Sequence, residues 1–203
     1  MAQRAEPPDS LDLFCTPPWA TRALCEHVID IRGKQVWEPA CGLGHMVRPL
    51  REYASGCLAS DVHDYRWGHL LHDFLMPFAP IEARGIRWTV VNPPFRLAQE
   101  FILRGLHVSE LGVAVLVRTV FTEGGERYRE LFKPRPPSIA AQFVERVPML
   151  KGRLDQHASS ATAYMWLVWY REPAWSGCKL QWIPPCRKQL ERTEDYYEPG
   201  AKS

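Results

Sequence analysis

The chain has 203 residues, 46% of them hydrophobic, which is enough for one well-cored domain and leaves little for a second. Its net charge of +2 does not by itself mark a nucleic-acid binder. Residues 1–10 are polar, which argues against a signal peptide, and no run approaches the roughly 18 apolar residues of a membrane span, so a cytoplasmic protein is expected.

Taken in order, residues 1–13 read as a flexible arm, residues 14–183 as the domain and residues 184–203 as a tail. Phe14-Cys15-Thr16-Pro17-Pro18 reads as a helix start, with Thr16 as cap and Pro17 in the first turn. Leu24 and Val28 fall at helical spacing over residues 20–29, and Gly33 ends that helix. A short apolar strand, residues 35–38, then closes on Glu38. Gly42 and Gly44 form a Gly-x-Gly turn that opens a helix over residues 45–53. A dinucleotide fingerprint would put a third glycine at position 47, where this chain has Val47. Glu38 would repel a pyrophosphate and suits a cationic amino-acid end. A plain tight turn explains the two glycines equally well.

Residues 56–61 form a second strand ending in Asp61, 23 residues after Glu38, near the spacing at which α/β nucleotide sites place a ribose-binding carboxylate. Residues 70–74 read as a third strand that brings Asp73 and Phe74 to its end; a surface turn is the alternative there. Ile86 to Val91 is an apolar strand stopped by Asn92-Pro93-Pro94-Phe95. The two prolines lack an N–H and have fixed φ, so Asn92 and the Pro93 carbonyl stand out as stiff acceptors beside the flat face of Phe95. That arrangement suits a planar ring with an exocyclic amine.

An apolar-faced helix over residues 97–106 and a continuously apolar strand over 111–117 complete an alternation that predicts a doubly wound α/β fold. Residues 118–153 then carry eight Lys/Arg against four Glu, interleaved with Phe121, Tyr128 and Phe132. A phosphate backbone could follow Arg118, Arg127, Arg129, Lys133, Arg135, Lys151 and Arg153; an ordinary solvated surface is the plainer reading. Residues 139–147 and 161–170 read as further strands, 151–160 as a mobile substrate loop and 179–183 as an edge strand. His157 reads as a surface histidine. The six cysteines form no Cys-x-x-Cys pair, which points to reduced thiols and to no zinc site; no metal is expected.

Phe14-x-Thr16-Pro17, Glu38-Pro39-Ala40-Cys41-Gly42-Leu43-Gly44, Asp61, Asp73-Phe74 and Asn92-Pro93-Pro94-Phe95 occur in that order. The ordered set resembles class I S-adenosylmethionine-dependent methyltransferases, and more narrowly the small phage-type DNA adenine-N6 methyltransferases. The resemblance implies a Rossmann-like, mostly parallel seven-stranded sheet with its last strand antiparallel. It implies S-adenosylmethionine as cofactor, with Glu38, Ala40, Gly42 and Gly44 at the methionine end, flanked by Thr16 and Pro17. Asp61 would take the ribose, Asp73 and Phe74 the adenine, and Asn92 would border the cofactor. Asn92, Pro93, Pro94 and Phe95 would form the catalytic loop, acting on adenine in DNA as a monomer or homodimer. Two departures stand out: the chain has no room for a recognition domain, and Glu38 replaces a more usual Asp. An RNA base or a protein glutamine amide are alternative acceptors, though Phe95 and the basic segment lean towards nucleic acid. An idle cofactor- or nucleic-acid-binding module is the non-enzymatic alternative. Val47 and Glu38 disfavour a nicotinamide oxidoreductase.

Overall fold

The computed structural model describes residues 13–197. Strands β1 (Gln35–Glu38), β2 (Gly56–Asp61), β3 (Leu70–Leu71), β4 (Trp88–Val91) and β5 (Gly112–Arg118) run parallel in the order β3-β2-β1-β4-β5. Beyond β5 come β7 (Tyr164–Tyr170), β6 (Ile139–Phe143) and β8 (Lys179–Ile183). β7 is antiparallel to both its neighbours, and β8 pairs parallel with β6. The sheet therefore has eight strands rather than seven. The outer edge of β6 would otherwise be bare, and residues 179–183 satisfy its backbone groups.

Strand periodicity sorts the buried side chains into two cores. In β5, Ala114 and Leu116 join one, and Val113, Val115 and Val117 the other. β7 divides in the same way, with Trp166 and Val168 opposite Met165, Leu167 and Trp169. Helices α1 (Pro18–His27) and α2 (Val47–Tyr53) cover the first face through Trp19, Leu24 and Leu50. Helix α3 (Ala98–Val108) covers the second through Phe101 and Ile102. Trp19, Trp37, Trp88 and Trp166 are fully buried. Each removes roughly 150–250 Å² from water, about 4–6 kcal/mol by area and an upper bound against a compact unfolded chain.

Several boundaries differ from the sequence-based expectation. α1 starts at Pro18 with no side-chain cap, because Thr16 is engaged elsewhere. β3 has two residues, not five, and the strand expected over 139–147 stops at Phe143. Residues 119–132 are coiled more tightly than expected: a 3-10 turn (Thr119–Thr122), α4 (Gly125–Arg127) and a π turn (Tyr128–Phe132).

The residues read as a tail dock on α1 as far as Tyr197. α5 (Arg187–Leu190) and the turn Thr193–Tyr196 bring Asp195 against buried Arg22. The Arg22 guanidinium bonds both Asp195 oxygens (2.7 and 2.8 Å), both Glu52 oxygens (2.9 and 2.8 Å) and the Leu190 carbonyl. Of the expected arm and tail, residues 1–12 and 198–203 lie outside the described residues. Among the described residues no helix is long and apolar enough to cross a membrane.

Candidate active site

Because β1, β2 and β4 are parallel, their final residues meet at the carboxyl end of the sheet. A cavity of about 480 Å³ opens there. Glu38, Ala40, Gly42, Asp61, Asp73 and Phe74 line it, and so do Asn92 and Pro94. The glycine turn and the Asn-Pro-Pro loop thus share one hollow. Thr16 also lines it; Pro17, Gly44, Pro93 and Phe95 are each next in sequence to a lining residue but are not among the lining residues themselves.

The turn is held from both sides. The Gly42 N–H donates to Asp61 Oδ2 at 2.9 Å, and its carbonyl accepts the Trp67 indole N–H at 2.8 Å. Gly42 has φ +47°, a conformation that strains any other residue, and a Cβ there would meet Leu13 Cδ1 at 2.6 Å, so the Leu13 side chain would have to move. Asp61 Oδ1 takes the His63 N–H at 3.0 Å. Each Asp61 oxygen keeps a lone pair for a ligand hydroxyl.

Glu38 is fully enclosed. Oε1 accepts the Ala40 N–H at 3.2 Å, while Oε2 has no partner among the described residues. Burial, and then the negative charge of Asp61, hold this carboxyl well above its usual value, against the opposing pull of the Ala40 hydrogen bond. A cationic ligand group would satisfy Oε2 and reverse that penalty. The site thus fits a ligand with a positively charged end, ribose-like hydroxyls and a flat ring, and S-adenosylmethionine has all three.

Asn92 shows the most defined orientation. Its Nδ2 donates to the Phe14 carbonyl and to Thr16 Oγ1, each at 3.0 Å. A carbonyl can only accept, so the nitrogen faces Phe14 and the oxygen faces away. Oδ1 is enclosed and unpartnered among the described residues. At Asp73, Oδ1 accepts the Leu75 N–H at 2.9 Å, and the buried Phe74 ring packs edge-on against Trp37 at 4.9 Å.

Burial disfavours the thiolate form of the cysteines at the cavity. Burial pushes Cys15 up to about 11 and Cys41 higher still, and both line the cavity as neutral groups. His45, also on the wall, is lowered to about 4 by burial and by Arg48, so it is neutral above that pH.

Outside the cavity mouth the Phe95 ring is not bare. The Arg118 guanidinium sits 3.9 Å from its centroid, and the Phe14 ring lies 5.0 Å away. Arg118 Nε is buried and unpartnered among the described residues. Lys151 pairs by backbone with Phe14, and exposed Arg153 pairs with Leu150, so both stand near this mouth. Exposed Arg96, unnoticed in the sequence, follows Phe95 directly.

The rest of the basic segment is dispersed. Arg127 is bound to the Phe121 and Glu123 carbonyls and stacks on Phe121 at 4.2 Å. Arg129 and Lys133 are exposed on and after the π turn. Arg135 lines a separate hollow with Tyr170, which pairs with Gly112 at the start of β5, the opposite end of the sheet.

Sequence reasoning also missed the connection from β2 to β3. His63 and Tyr65 line the cavity, and Trp67 backs Gly44 at 3.3 Å from where a Cβ would sit. Its density of aromatic and histidine residues was the available signal.

No family model and no curated protein matches the chain. Solved structures do. A candidate RNA methyltransferase from Pyrococcus horikoshii aligns with a TM-score of 0.57 at 15% identity, over 84% of this chain and 92% of that one. A candidate hemolysin from Lactococcus lactis aligns at 0.52 and 13% identity, over 85% and 93%. A predicted O-methyltransferase from Agrobacterium tumefaciens aligns at 0.50 and 12% identity, over 83% and 86%. With the strand order above, these alignments show that the chain has the Rossmann-like methyltransferase fold.

Proposed function

We propose that the chain is an S-adenosylmethionine-dependent N-methyltransferase acting on the exocyclic N6 amine of adenine in DNA. One observation carries the reading: Asn92 and Glu38 line one cavity, and each has an enclosed side-chain oxygen, Oδ1 and Oε2, without a partner among the described residues. An acceptor for an amine and a partner for an ammonium thus stand in one hollow.

Glu38 would pair with the cofactor's ammonium, Asp61 with its ribose hydroxyls, and Asp73 beside Phe74 with its adenine. The bound cofactor supplies an electrophilic methyl group on a sulfonium. Adenine's amine is a poor nucleophile because its lone pair is delocalised into the ring. Asn92 Oδ1 and the Pro93 carbonyl would each accept one of its hydrogens, which favours a pyramidal nitrogen and aims the lone pair. The proton lost after transfer goes to solvent, and the neutral thiols take no part. The base must leave its stack to reach this loop, and it displaces the Arg118 guanidinium from Phe95 on arrival. Arg96, Arg118, Lys151 and Arg153 would then face the phosphates.

A second reading keeps the chemistry and makes the acceptor an RNA base. The likeness to the Pyrococcus horikoshii structure favours it over a protein acceptor. Transfer of a labelled methyl group to oligonucleotides, with wild type and Asn92→Ala, tests the proposal. The variant should lose on the order of 10²- to 10³-fold in rate. Its cofactor affinity by calorimetry should stay within about threefold, since Glu38 and Asp61 remain. Undiminished turnover in the variant would refute the assignment.

A further inference from the structure

We propose that Thr16 is a positioning residue for Asn92, fixing which end of its amide meets the acceptor, rather than a contact to the cofactor or a helix cap. This rests on the methyltransferase reading above. A carboxamide presents nearly the same shape after a half-turn about its last bond, yet only one orientation offers an acceptor to an amine. The wrong orientation would place Nδ2 against the incoming N–H groups, and no hydrogen bond would form.

The structure holds the correct orientation with two bonds. Phe14 supplies a carbonyl and Thr16 a hydroxyl, each 3.0 Å from Nδ2. A flipped amide would set Oδ1 against the Phe14 carbonyl, oxygen against oxygen. Thr16 is buried, and its hydroxyl caps nothing on α1. The segment that carries both groups is itself fixed. Cys15 N–H donates to Leu150 O at 3.2 Å, Gly152 N–H donates to Leu13 O at 2.9 Å, and Phe14 and Lys151 pair between them. The Phe14 carbonyl is therefore held in place at no further cost when the acceptor arrives. Thr16 supplies the second bond, and its loss leaves the amide held by the Phe14 carbonyl alone, so that the flipped orientation gains population.

The test compares Thr16→Val, which keeps the shape and removes the oxygen, with Thr16→Ser, which keeps the oxygen. Thr16→Val should lower kcat by about 10-fold. The dissociation constant for S-adenosylhomocysteine should stay within about twofold, and Thr16→Ser should restore most of the rate. On an Asn92→Ala background, Thr16→Val should cost nothing more, because the group it orients is gone.

A readout independent of turnover is the pair of Asn92 Nδ2 proton resonances. They should be sharp and well separated in wild type and in Thr16→Ser, and each shifted or exchange-broadened in Thr16→Val. Weaker S-adenosylhomocysteine binding with kcat unchanged would make Thr16 a cofactor contact. A lower melting temperature with kcat unchanged would make it a structural residue. Either result overturns the proposal. An active Asn92→Ala enzyme would instead remove the functional reading, and the amide resonances would still decide whether Thr16 orients Asn92.

Discussion

Glu38 carries a cost that its environment does not relieve. Its folded carboxyl holds a proton more tightly than the unfolded one, so between the ordinary carboxylate range and its raised value the folded state binds more protons. Stability attributable to this group is therefore full in acid and falls as pH rises through that window. Glu38→Gln imitates the protonated form. Thermal melts should show the variant gaining on wild type at pH 8 and matching it near pH 4. The same change should weaken the cofactor about 10-fold and flatten the rise of affinity with pH, since only the ionised carboxylate attracts an ammonium. Equal melting curves at both pH values would contradict this account. At this scale the sequence was informative where chemistry is written into residue type. Asn92, Glu38 and Asp61 stood out from their places at strand ends, and the fold brings them to one cavity. The orientation of the Asn92 amide was not, because it depends on a carbonyl 78 residues away in sequence.

The strands and α3 followed from apolar periodicity, which strand burial on two faces enforces. The basic segment shows where such reading stops. Seven cations were grouped by proximity in sequence, yet the fold sends them to different places. Arg118 and Lys151 reach the cavity mouth, Arg127 is spent on backbone carbonyls, and Arg135 lies at the other end of the sheet. Two substitutions separate these roles. Arg118→Met should make binding to single-stranded oligonucleotide less salt-sensitive, with the slope of log K against log salt shallower by about 0.7. Arg127→Met should leave that slope unchanged and lower the melting temperature, because it frees the Phe121 and Glu123 carbonyls. An unchanged slope for Arg118→Met would remove Arg118 from the strand-binding surface. The short helical turns after β5 were illegible for a simpler reason: no periodicity is long enough there to read.

For the whole molecule, the α/β class was legible and closure was not. A continuous alternation of strand and helix implied the parallel half of the sheet. Nothing in residues 184–197 announced that they would lock α1, since the lock is a single buried arginine meeting Asp195 173 residues later. Arg22→Ala should destabilise the fold by about 3–5 kcal/mol, leaving Asp195 enclosed without its cation. That corresponds to a fall in melting temperature on the order of 10 °C, while cofactor affinity in the surviving folded fraction should be unaffected. A shift below about 2 °C would mean that the C-terminal turn holds without the ion pair.

The destination of the methyl group decides between these readings. Incubating the protein with labelled cofactor and a mixture of DNA, RNA and protein, then separating and digesting the labelled pool, measures that directly. Label is expected in DNA, released as N6-methyladenine and absent with Asn92→Ala. Label recovered on glutamine in the protein pool, or on any group with Asn92→Ala as active as wild type, would contradict it.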